Sequence, residues 1–76
     1  MIQASELEKL GFSFNDKGAT WEEWLYELDS CTIAVQYFDH YRKVEITLYE
    51  SGFIAEVQLK GEVTVERLEN LIKALQ

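Results

Sequence analysis

The chain has 76 residues, 47% of them hydrophobic and 28% charged, with no proline. That is enough apolar content for one small core and too little length for two, and it excludes a disordered chain. A domain this size buries only about 60% of the surface its unfolded chain exposes, so a large substrate cleft would leave little interior to hold the fold. Fourteen acidic against seven basic side chains give a net charge of −7, the wrong sign for gripping phosphates, so direct nucleic-acid binding is not expected.

The opening residues lack the basic and apolar regions of a secretory signal. Uninterrupted apolar runs reach only three residues, as at 33–35, where about 20 are needed to cross a bilayer. A lone Cys31 cannot form an internal disulfide, which fits a reducing compartment. The expectation is a single domain over residues 1–76, cytoplasmic, without membrane contact.

In chain order, Ser5 with Glu8 has the capping-box form, and Gly11 follows Leu10 where a left-handed residue closes a helix. The reading is a short helix over 6–10, with Phe12 folding back on its last turn. Asn15-Asp16-Lys17-Gly18 is a turn signal. Residues 19–28 fit two templates. As a helix, Thr20 and Glu23 make a capping box, and Trp21, Trp24, Leu25 and Leu28 share a stripe. As a strand, Trp24, Tyr26 and Leu28 face one way, and Trp21, Glu23, Leu25 and Glu27 the other. The strand is preferred, because the strands that follow need a partner and Asp29-Ser30 makes a tight connection to the next one.

Alternation then marks three strands. Ile33, Val35 and Tyr37 oppose Thr32, Ala34 and Gln36, and Val44, Ile46 and Leu48 oppose Glu45, Thr47 and Tyr49. After a hairpin turn at Ser51-Gly52, Phe53, Ala55, Val57 and Leu59 oppose Ile54, Glu56 and Gln58. Residues 39–42 join the first two of these strands. Thr64 caps a helix over 65–75 whose Val65, Leu68, Leu71, Ile72 and Leu75 form one stripe, with Val63 and Leu68 as a hydrophobic staple. The expected fold class is α+β: an antiparallel β-meander of three to four strands, with a short N-terminal helix and a C-terminal amphipathic helix packed on one face. The order is αββββα, or ααβββα if residues 20–28 are helical.

Candidates for chemistry are few. Cys31 and His40 lie at opposite ends of a predicted strand, about 25 Å apart at strand rise, and cannot form a dyad. Glu22, Glu23 and Glu27 are the only carboxylate grouping suited to acid and base work, and they read as the wet side of an amphipathic segment. Paired metal ligands and phosphate-cradling glycine loops are not found. The chain is therefore expected to be no enzyme and to use no metal or cofactor.

The helices can cover one sheet face only. The other carries Ala34, Phe38, Tyr49 and Ile54, flanked by Glu45 and Glu56, with Trp21 and Leu25 added in the strand reading. An apolar patch with a charged border reads as an interface, so Trp21, Phe38, Tyr49, Ile54, Glu45 and Glu56 are the expected interaction residues. They would serve a homodimer or a protein partner, the latter presenting a basic surface. An acidic mimic of nucleic acid, directed at a basic enzyme groove, is the alternative, and a small hydrolase or metal-dependent enzyme using Glu22, Glu23, Glu27 or His40 comes third. In general character the chain resembles the short orphan proteins of phages and other mobile elements. These pair a Leu-x-x-Leu-Gly-Phe opening, here Leu7-Glu8-Lys9-Leu10-Gly11-Phe12, with a meander and an amphipathic closing helix, here 68–75. The resemblance implies a regulator or inhibitor acting through protein contact.

Overall fold

The structure, a computed structural model, describes residues 2–39, 41–57 and 62–76. Chain order is α1 (Ala4–Leu10), β1 (Ser13–Lys17), β2 (Trp21–Glu27), β3 (Cys31–Phe38), β4 (Arg42–Leu48), β5 (Ile54–Val57) and α2 (Val65–Leu75). The strands form one antiparallel sheet in the order β1-β2-β3-β4-β5, so every neighbour in sequence is a neighbour in space. The α+β meander between two helices is thus as expected, with one strand more at its edge.

That extra strand overturns the turn expected at residues 15–18. Ser13 and Phe14 pair with Leu25 and Trp24, the register shifts at Asn15, and Asp16 and Lys17 resume opposite Glu23 and Glu22. Asn15 uses its side-chain amide to donate to Glu23 Oε1 at 2.9 Å, so a residue that favours turns is absorbed in a bulge. The reversal falls instead at residues 18–20, closed by Gly18 N donating to Trp21 O. The bulge and the charged Asp16 and Lys17 also blunt this outer strand against further pairing.

Residues 21–27 are strand. The helical stripe of Trp21, Trp24 and Leu25 gives way because Trp24 stands opposite the fully buried Val35, and Leu25 opposite Ala34. Cross-strand burial outweighs a local periodicity that α-helix would have satisfied equally well. Trp24 donates its indole N–H to Glu22 Oε1 at 3.1 Å, which satisfies the polar end of a buried ring.

The core lies between one sheet face and both helices. Leu7, Trp24, Ile33, Val35, Val44, Leu68 and Ile72 are buried there together, with Ile2, Phe12 and Val63. Val65, Leu71 and Leu75 of the predicted α2 stripe pack against the same cluster. Thr64 caps α2 as expected, its Oγ1 accepting from Arg67 N at 3.2 Å. Cys31 is buried, as a small apolar side chain would be.

At α1 the C-terminal expectation holds and the N-terminal one shifts. Gly11 adopts φ 107°, and Gly11 N and Phe12 N donate to Glu8 O and Leu7 O, which is the Schellman pattern, with Phe12 buried. The helix starts before Ser5, however. Gln3 is the N-cap, and its N–H donates to Glu6 Oε1 at 3.0 Å. The cause is tertiary: Ile2 is buried, and Tyr37 donates its hydroxyl to Gln3 Oε1 at 2.7 Å, so the chain is already docked two residues upstream of Ser5. Among the described residues no helix is long and apolar enough to cross a membrane.

Candidate functional site

Pairing fixes what the uncovered sheet face displays. Trp21 stands opposite Phe38 at one end. Next come Asp16, Glu23, Gln36 and Lys43, one from each of four strands. Leu25, Ala34, Glu45 and Glu56 form the following row, and Glu27, Thr32, Thr47 and Ile54 the last. Tyr49 joins that last row, since Thr32 Oγ1 and Tyr49 Oη lie 2.6 Å apart.

All six expected interaction residues therefore reach this face or its rim, but not as one patch. Phe38 and the Tyr49–Thr32 pair are six residues apart along β3, about 20 Å. Trp21 and Phe38 form one apolar end, Tyr49 and Ile54 the other, and Glu45 and Glu56 stand directly opposite one another between them. Two carboxylates facing across strands repel. Among the described residues, Lys43 answers them, its Nζ 3.9 Å from Glu45 Oε1. Glu23 is held by the amides of Asn15 and Gln36 rather than by a cation.

The two ends differ in how they are fastened. Phe38 and Tyr41 stack at 4.6 Å with their planes 12° apart. Arg42 lies over the Tyr37 ring at 3.2 Å and donates to three carbonyls, Nε to Ile2 O and Nη1 to Phe38 O and Tyr41 O. Trp21 packs so closely over Gly18 that a Cβ there would collide with its indole. An open depression of about 700 Å³ runs past Gln3, Trp21, Tyr37 and Arg42. Its single arginine is committed to backbone carbonyls and to Tyr37.

The opposite end is a four-residue hairpin loop, residues 49–52, in which Gly52 N donates to Leu48 O and Leu48 N to Phe53 O. Gly52 takes φ 68°, the left-handed conformation such a loop requires and glycine supplies without strain. Four of the six large exposed hydrophobics of the described chain gather here: Leu48, Tyr49, Phe53 and Ile54, between 41% and 60% exposed. Leu48 and Phe53 were expected in the core by alternation, and they do share its face. Both stand at the edge of it: Leu48 pairs with the buried Cys31 but closes β4, and Phe53 lies in the connection just before β5.

The carboxylates weighed for acid and base chemistry do not converge. Glu22 and Glu23 point to opposite faces of β2, and Glu27 is four residues, about 13 Å, beyond Glu23. His40 lies outside the described residues. Among the described residues no group of three or more His, Cys, Asp or Glu side chains is placed to hold a metal ion. Compared with known proteins, the chain matches no family model, no curated protein and no solved structure.

Proposed function

We propose that this chain is a small, acidic, non-enzymatic interaction protein of the cytoplasm that binds a protein partner through the uncovered face of its sheet. The observation that carries this reading is the one-sided helix layer: five strands have helices on one face only, and the other displays Trp21, Phe38, Tyr49 and Ile54 among carboxylates. Apolar anchors at the two ends of a carboxylate-bearing face combine the ingredients of a docking surface. A regulator or inhibitor of the kind carried by phages and other mobile elements is the role this surface fits.

Self-association through the same face would make an isologous homodimer, which places each acid row near its own copy. The test is light scattering during size-exclusion chromatography, with Tyr49→Asp and Ile54→Asp as variants. A dimer dissociated by these changes, or a monomer whose partner capture they abolish, supports the reading. Unchanged mass and unchanged capture overturn it.

A second reading draws on one observation. The open face carries Asp16, Glu23, Glu27, Glu45 and Glu56 against Lys43, an arrangement suited to a mimic of nucleic acid that occupies a basic enzyme groove. Binding of that kind weakens steeply as salt rises. An affinity that salt leaves unchanged removes this second reading and leaves the first.

A further inference from the structure

We infer that the β4–β5 hairpin tip is a two-sided wedge that inserts into an apolar protein cleft rimmed by Lys and Arg; this rests on the interaction reading and assigns it an anchor and a partner chemistry. Leu48 and Phe53 lie on the helix side of the sheet, while Tyr49 and Ile54 lie on the open side. A flat interface would cover one of these pairs and leave the other wet. A cleft covers both. Exposed aromatic and aliphatic side chains on both faces of a hydrogen-bonded hairpin are a hot-spot composition that fills pockets.

Charge decides what surrounds that cleft. Between Lys43 and Lys60 the chain has no basic residue, and it carries Glu45, Glu50 and Glu56. Asp29, from the β2–β3 turn, lines the same depression of about 700 Å³ as Leu48, Tyr49 and Glu50. The cations of the sheet, Lys17, Arg42 and Lys43, all sit toward its other end. An apolar tip fringed by Asp29, Glu45 and Glu50 complements lysine and arginine, and it repels a second tip of its own kind.

The test is an amide-resolved NMR titration of the full chain with two short synthetic peptides, one of leucine and lysine and one of leucine and glutamate. The expected result is binding of the lysine peptide with shifts centred on Asp29 and residues 48–54, at least tenfold tighter than the glutamate peptide and weakened by salt. Phe53→Ser and Leu48→Ser, both on exposed side chains, should each weaken it about tenfold, and matching dispersion in their spectra shows that the fold persists. No binding, or shifts centred on Trp21 and Phe38, overturns the wedge. The second of those results leaves the interaction reading in place, because a face has bound and only the anchor was misassigned. A dimer that Phe53→Ser dissociates also overturns it, since a second copy then occupies the tip. If Tyr49→Asp and Ile54→Asp abolish association while Leu48→Ser and Phe53→Ser do not, the open face binds and the wedge fails.

Discussion

The two ends of the β3–β4–β5 meander are built from similar residues and put them to opposite use. At the Phe38–Arg42 end the aromatics partner one another, and a guanidinium ties three carbonyls and a tyrosine ring to the N-terminal segment. At the residue 48–54 end, four large apolar side chains meet solvent, and a side-chain hydrogen bond joins Tyr49 to Thr32. Apolar content is therefore common to both ends; what differs is how far the side chains are engaged within the fold. The first end uses most of its side chains to close the fold, and the second leaves Leu48, Phe53 and Ile54 largely in solvent.

The largest effect that would sharpen the contrast belongs to the helix layer, whose core contacts the tip residues lack. Leu68→Ala empties a fully buried site and should cost about 3 kcal/mol in urea unfolding followed by circular dichroism. A loss below about 1 kcal/mol would mean that α2 packs loosely and that burial does not separate the core from the tip.

Next comes the fastened end. Arg42→Ala leaves the Ile2, Phe38 and Tyr41 carbonyls without their charged donor and removes the cation from the Tyr37 ring, for an expected loss of about 2 kcal/mol. Arg42→Lys should recover only part of this, because an ammonium lacks the planar fork that reaches several acceptors at once. Hydrogen exchange should show the release first at Ile2 and along α1, and equal stability of wild type and Arg42→Ala would erase the distinction between the ends.

The smallest expected effect lies at the tip. Phe53→Ser changes a side chain 60% exposed, so unfolding free energy should move by no more than about 0.5 kcal/mol. A loss of 2 kcal/mol or more would make Phe53 a structural residue and return the tip to the core.

Much of the fold was legible in the sequence. Alternation placed β3 and β4, the start of β5 and both faces of each, because a period of two carries over directly into sheet faces. Gly11 and Thr64 marked one end of each helix, since cap chemistry needs no information from elsewhere in the chain. The candidate site was legible by face and not by grouping: Trp21, Phe38, Tyr49 and Ile54 were on the expected side, but only the pairing sets Tyr49 beside Thr32, six residues along β3 from Phe38.

What the sequence determined by itself, then, is the closing cap at Gly11, the opening cap at Thr64, the turn at Ser51-Gly52, and the inward or outward direction of each position in β3 and β4. Tertiary structure decided the rest. Residues 21–27 became strand because Trp24 gains burial opposite Val35, and Ser13–Lys17 became strand because β2 offered a free edge. Docking of Ile2 and Gln3 started α1 early. Leu48 and Phe53, apolar and correctly phased for the core, remained exposed at the hairpin tip, because the phase of a side chain sets its face and not how much of that face is covered.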